Sequence, residues 1–216
     1  MVIQPDFAQV KVTPVKLVCD TSGSMDSQID SKDAASERRI DGLNRGLLVG
    51  ADFMRNHRLL SRSAMVGITT IDDPIRTFAF EPAASWQPPT LEAHASTPFG
   101  HALEKACDDI AEFLHRLNAD GRPYNTTTML IFTDGAPNGE SSKETQGGID
   151  RVKALEAAKQ VFVIPAGLTR DDCNRLNAMG FQQPAQCVAE IQWEELFRIV
   201  TASAGAIAGG QRPMLT

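Results

Sequence analysis

The 216-residue sequence predicts a three-layer α/β/α sandwich, built on a doubly wound, Rossmann-like and mostly parallel six-stranded sheet with one antiparallel edge strand. Three observations predict it. Short apolar runs alternate with longer helical patterns along most of the chain. Several of those runs are almost continuously apolar, which suits strands covered on both faces rather than a half-exposed sheet. Two of them end abruptly in acids, hydroxyls and a glycine, at the strand tips where open parallel sheets gather ligands.

Residues 1–11 read as an N-terminal extension, and the apolar run VKLVCD at 15–20 is the first strand. The following segment, DSQIDSKDAASERR at 26–39, is acidic, serine-bearing and polar, and delays the first helix. That helix shows in Ile40, Leu43, Leu47, Ala51 and Met54, which recur at three- and four-residue spacing. AMVGITTI at 64–71 is the second strand. After the turn-forming Asp72-Asp73-Pro74, IRTFAF at 75–80 is expected to fold back antiparallel on it. Prolines interrupt residues 82–98, which therefore hold no long regular element. Phe99, Leu103, Cys107, Ile110, Leu114 and Leu117 then form one helical stripe. TTMLIFT at 127–133 and QVFVIPAG at 160–167 supply two more strands, with a helix over 151–158 between them. CVAEI at 187–191 is the expected sixth strand, and Trp193, Leu196, Phe197 and Val200 open a last helix. The folded domain is taken as 12–206 and the tail as 207–216, with no internal repeat.

Composition narrows the function. With 42% apolar and 22% charged residues, the chain is an ordinary globular one rather than a disordered one. A net charge of -6 without any Lys/Arg cluster argues against a nucleic-acid backbone binder. Cysteines at 19, 107, 173 and 187 have no close-paired metal spacing, and Cys19 and Cys107 read as buried thiols. The first residues, MVIQPDFAQV, carry neither a basic start nor a long apolar run, and no segment reaches membrane-spanning length. The expectation is a cytoplasmic protein.

The chemistry sits at the strand tips. Asp20 ends the first strand in DTSGSM, and Asp134 ends another in FTDGAP. If both strands are central and parallel, the two carboxylates face one crevice and repel unless a positive charge stands between them. Ser22 and Ser24 add neutral hydroxyls, with Gly23 allowing a tight turn. An all-oxygen set without histidine or paired cysteine points to Mg2+, with Mn2+ or Ca2+ as oxygen-preferring alternatives, rather than to structural zinc. One exchangeable position would remain for an outside carboxylate. A helix-capping cluster without metal is the plain alternative for the first loop, since Asp, Ser and Thr all cap helices.

Together, DTSGSM at 20–25, Thr97 in the loop before a strong helix, and TDG at 133–135 resemble the metal-ion-dependent adhesion site of a von Willebrand factor type A domain. The likeness extends over about residues 12 to 205. It implies Asp20, Ser22 and Ser24 in a first site loop, Thr97 in a second and Asp134 in a third, some touching the ion directly and others through water. It also implies that the last helix moves when a ligand binds. WQPPTL at 86–91, STPFGHAL at 96–103 and the closing WEELFRIVTASAG resemble the bacterial intracellular TerY type, associated with tellurium-resistance and stress-response clusters and with kinase-like and phosphatase-like partners. The polar segment 26–39 departs from that pattern beside the site. No function of the zinc-binding appendage that some relatives carry is expected here.

Enzymatic readings are weaker. There is no G-x-S-x-G elbow for Ser22 or Ser24, and His94, His101, His57 and His115 have no diagnostic context. A Mg2+-dependent phosphohydrolase with Asp20 as nucleophile is the alternative, but Ser22 occupies the position of the usual acid-base group, and Lys143 and Lys153 follow no pattern. No phosphate-binding GxxxxGK[ST] loop is present. The reading is a non-catalytic recognition module whose partner supplies an Asp or Glu, with Met25, Phe99 and Pro137 as a candidate apolar rim and core packing the simpler role for Phe99.

Overall fold

A computed structural model describes residues 10–28, 37–94, 96–134 and 136–213. Most of the N-terminal extension, the middle of the polar segment, Gly135 and the last three residues lie outside the described residues.

Six strands form one sheet in the order β3-β2-β1-β4-β5-β6: β1 (Thr13–Asp20), β2 (Ala64–Ile71), β3 (Thr77–Pro82), β4 (Thr127–Thr133), β5 (Val161–Gly167) and β6 (Gln186–Cys187). All pairings are parallel except β2 with β3, where the turn after Ile71 folds the chain back to make an antiparallel edge. The expected fold class is the observed one. β1, β4 and most of β5 are buried along their whole length, which is why their sequences are continuously apolar instead of alternating.

Helices cover both faces. On one side lie α1 (Arg39–Asn56), the single-turn α2 (Leu60–Ser63) and α6 (Val188–Ala208); on the other lie α3 (Phe99–Ala119), α4 (Ser142–Ala157) and α5 (Arg170–Met179). The α1 stripe Leu43, Leu47, Ala51 and Met54 packs with Trp193, Leu196, Phe197 and Val200 of α6 over Val15, Leu17 and Cys19 of β1. The α3 stripe packs with Ile149, Val152 and Leu176 over Met129, Ile131 and Val163. Two cores of interlocked apolar side chains therefore flank the sheet, and their burial is the main stabilising force.

Two expectations need correction, and one helix falls where no element was expected. The sixth strand is only two residues long: Gln186 and Cys187 pair with Ala166 and Gly167, and Val188 already begins α6. The helix breaks at Gln192, whose φ of 66° lies in the left-handed region, and Trp193 restarts it packed against Phe132. A short apolar run reads equally as strand or buried helix, and here the sheet edge ends too soon for a strand. The unexpected helix is α5, which forms over the polar RDDCNRLNAM, a stretch to which the sequence reading assigned no element. Its ends carry the signal: Thr169 and Asp172 form a reciprocal capping box, and Gly180 closes it with φ of 77°. The second correction is that Met25 forms no rim around the site. It is fully buried in the α1/α6 core, and Phe99 is likewise core.

A lysine lies inside the fold. Lys16, in the middle of β1, is fully buried, and its Nζ donates to Asp109 Oδ2 of α3 at 2.8 Å and lies 5.4 Å above the Phe80 ring. Burial pulls the lysine below its ordinary range, while Asp109 resists that shift by hydrogen bonding and charge. The pair ties α3 to β1.

Candidate metal centre

The strand order reverses between β1 and β4. The chain leaves β1 toward β2 on one side, and β4 flanks β1 on the other, so a crevice opens at their carboxyl ends. Asp20 is the last residue of β1 and Asp134 directly follows β4. Register brings Cys19 opposite Phe132, one residue before Asp20 and two before Asp134.

Asp20 is completely buried. Its Oδ1 accepts from the Ser22 amide at 2.8 Å, while Oδ2 accepts from Thr133 Oγ1 at 2.6 Å and the Asp134 amide at 3.3 Å. Burial pushes its carboxyl up to about 6, and the negative charge of Asp134 adds to the rise against the opposing bonds from Ser22 and Thr133. The residues after Asp20 turn at once into a single 3-10 turn, Gly23–Asp26, which brings the two serines to one side. Ser24 Oγ donates to Asp134 Oδ1 at 2.6 Å and lies 2.9 Å from Ser22 Oγ, so the proton between the serines comes from Ser22.

Thr97 is buried in the loop before α3, held by Asn138 rather than by the acids. Asn138 Nδ2 donates to Thr97 Oγ1 at 3.2 Å, the Thr97 amide donates to Asn138 Oδ1 at 3.0 Å, and the Asn138 amide donates to the Thr97 carbonyl at 3.0 Å. Glu140 continues the brace by accepting from the amides of Gly100 and His101 at 2.7 and 3.1 Å, capping an α3 terminus that Pro98 cannot cap. The close approach of α3 to α4 needs glycine: a Cβ on Gly100 would fall 2.3 Å from the Glu144 carbonyl oxygen. The first and second loops meet where the His94 amide donates to the Thr21 carbonyl at 2.7 Å. Four of the five expected site residues thus form one hydrogen-bonded set, with Thr97 pinned alongside through the loop that follows Asp134.

Sequence reasoning missed Arg39. The first residue of α1 sends its Nη1 to Asp134 Oδ2 at 2.7 Å, onto a side chain with no solvent exposure. Its position depends on the base of the polar segment. Gln28 pairs with Arg38 as a β-bridge, the Arg39 amide donates to the Ser27 carbonyl at 3.0 Å, and Arg38 pairs with Asp26 and Asp41. Nothing local in ERRI marks this arginine, because the contact spans 95 residues.

The donor set fits a hard divalent ion. Adjacent oxygens around octahedral Mg2+ are about 2.9 Å apart, given bonds of about 2.0–2.1 Å. Ser22 Oγ, Ser24 Oγ and Asp134 Oδ1 follow one another at 2.9 and 2.6 Å. Asp20, with both oxygens occupied by protein donors, fits an anchoring role that orients the first loop. Among the described residues, no group of three or more His, Cys, Asp or Glu is placed to hold a metal; the set here is two carboxylates plus hydroxyls.

No protein-family profile and no curated protein matches the chain. Solved structures do. The vWF domain of the type V pili tip protein Mfa5 from Porphyromonas gingivalis matches with a TM-score of 0.63 at 9% identity, covering 96% of this chain and 99% of that one. The PilB minor pilin from Streptococcus sanguinis matches with a TM-score of 0.62 at 13% identity over 96% of this chain, and proximal thread matrix protein 1 from the mussel byssus with 0.54 at 11% over 93%. The chain spans 63% of that pilin and 48% of that byssus protein. At these identities the likeness is one of fold, and the fold of this chain is that of a von Willebrand factor type A domain.

Proposed function

We propose that the chain is a protein-recognition module that holds Mg2+ through Asp20, Ser22, Ser24, Thr97 and Asp134 and receives an Asp or Glu side chain from a protein partner. The observation that carries this reading is the chain of Ser22, Ser24 and Asp134 oxygens, linked at 2.9 and 2.6 Å beside a second buried carboxylate. The ion when bound would supply the positive charge that an incoming carboxylate needs. Within the chain, Asp20 fixes the first loop through the Ser22 amide and the third through Thr133. The Asn138 brace fixes Thr97, and Glu140 fixes the start of α3.

Recognition without turnover is part of this reading. A phosphoryl-transferring Asp20 would need an oxygen open to phosphorus, and both of its oxygens are buried and hydrogen-bonded, which suits an anchor better than a nucleophile. The TerY-type resemblance makes the bacterial cytoplasm the proposed setting, in a stress-response or tellurium-associated phosphorylation system with kinase-like and phosphatase-like proteins as the first partners to try. No described helix is long and apolar enough to cross a membrane.

The test is quantitative capture from bacterial lysate by wild type in Mg2+, by wild type in EDTA, and by a folded Asp20→Ala, Asp134→Ala variant. A partner retained only by the first supports the reading, and equal retention by all three places recognition on another face. A parallel assay with small phosphomonoesters should stay at background with and without Mg2+; metal-dependent hydrolysis would restore the enzymatic alternative.

A further inference from the structure

Two carboxylates meet at the strand tips, and the positive charge beside them in this structure belongs to the chain itself. Arg39 Nη1 bonds Asp134 Oδ2, and Ser24 Oγ bonds Oδ1, so both oxygens of Asp134 are engaged. Asp20 and Asp134 carry two negative charges when ionised, and Arg39 returns one. Replacing Arg39 by a divalent ion would bring that balance to zero, whereas holding both cations would leave an excess positive charge in a mostly buried pocket. Two positive charges sharing Asp134 repel strongly where little water screens them.

The arginine is also not held as a permanent structural pair should be. Its side chain is 23% exposed, it makes one charge-assisted bond to Asp134, and its Nε is buried without a hydrogen-bond partner. An unsatisfied buried donor costs free energy that a rotation toward solvent would recover. Arg39 begins α1 at the end of the pinched polar segment, so such a rotation needs no change in the sheet.

We infer that Arg39 is a built-in competitor for the divalent cation: its guanidinium guards Asp134 and must leave before an ion can use that carboxylate. The described base of the polar segment, where Ser27 and Gln28 meet Arg39 and Arg38, fixes where α1 starts and thereby sets the cation affinity of the site. This inference rests on the metal-binding reading above.

The experiment is Mn2+ binding to the full chain, followed by the loss of the free-ion electron paramagnetic resonance signal, for wild type, Arg39→Gln, Arg39→Lys and Asp134→Asn. Arg39→Gln should bind about ten- to a hundredfold tighter, the range expected for removing one charge-assisted hydrogen bond from the competition. Arg39→Lys should stay near wild type, and Asp134→Asn should bind far more weakly. In wild type labelled with 15N, the Arg39 Nε resonance should shift on addition of diamagnetic Mg2+, a readout that survives even if a variant fails to fold. Measurable wild-type binding that Arg39→Gln leaves unchanged or weakens, or an Arg39 resonance that does not move while Mg2+ binds, overturns the competitor and leaves the metal site standing. Absence of Mn2+ and Mg2+ binding in wild type and Arg39→Gln alike overturns both, and makes the ion pair a fixed part of the fold.

Discussion

At the scale of single residues, Asp20 is the most consequential side chain in the chain. Most carboxylates that fold into hydrogen bonds become stronger acids, but burial and the neighbouring Asp134 push this one up to about 6. The consequence for stability has a definite sign. Between its ordinary 3.8 and about 6, the folded protein holds this proton more tightly than the unfolded chain does. Metal-stripped protein should therefore lose stability as pH rises from about 4 to about 6, by up to roughly 3 kcal/mol from this group. Urea midpoints taken in EDTA across that window should fall with pH, and Asp20→Asn should flatten that part of the slope. Mg2+ should counter the loss on the high-pH side, because an ion that binds only the folded, ionised site stabilises it by mass action. A wild-type midpoint independent of both pH and Mg2+ would count against an ionised Asp20 at the centre of the site.

At the scale of elements, the layer containing α1 and α6 depends on small residues. Gly42, Gly46 and Gly50 line one side of α1, and a Cβ on Gly46 would fall 2.6 Å from the Phe197 ring. In an exposed helix, alanine for glycine gains about 1 kcal/mol. Here the added methyl meets an aromatic ring in a filled core, and overpacking of this kind costs about 1–3 kcal/mol. Gly46→Ala should therefore destabilise by about 1–2 kcal/mol. Gly147→Ala, on the exposed side of α4 with only a Glu104 carboxylate oxygen at 3.4 Å, should stabilise by up to about 1 kcal/mol. Chemical denaturation of the two variants tests the contrast: the same substitution should act with opposite signs. The α1/α6 contact also bears on the expected movement of the last helix, since Trp193 and Phe197 bed into this glycine-lined surface. A shift of α6 would have to unseat both rings.

At the scale of the whole molecule, the four cysteines report how tightly the two cores close. Cys19 lies in β1, Cys107 in α3, Cys173 in α5 and Cys187 in β6, and all are buried and free. Burial pushes Cys19 up to about 12 and Cys107 up to about 11. Cys173 is raised to about 12 by burial first and then by its neighbour Cys187, which the β5–β6 pairing brings beside it although the two are distant in sequence. Thiolate is the reactive form, so a disulfide reagent at pH 7 should label Cys19, Cys107 and Cys173 of the native protein at least roughly two orders of magnitude more slowly than a free thiol. All four should react in denaturant. Fast labelling of one thiol under native conditions would mean that its layer opens without global unfolding.

The sequence by itself determined the sheet, the two helical layers and the chemistry of the strand tips. Those features depend on periodicity and on residue type at the end of an apolar run, and both are local. Asp20 and Asp134 stand out because an acid at a buried strand end is costly without a partner. The sequence also placed Thr97 correctly in a loop before a helix, but not its clasp with Asn138 across 41 residues. Tertiary structure alone decided the rest. It ended β6 after two residues because the neighbouring strand runs out, drew Met25 into the core, and set Glu140 to cap a helix that begins 41 residues earlier at Phe99. Above all it brought Arg39 onto Asp134. That contact depends on where the polar segment is pinched and where α1 starts, and a charge pair between distant residues leaves no periodic trace in a chain.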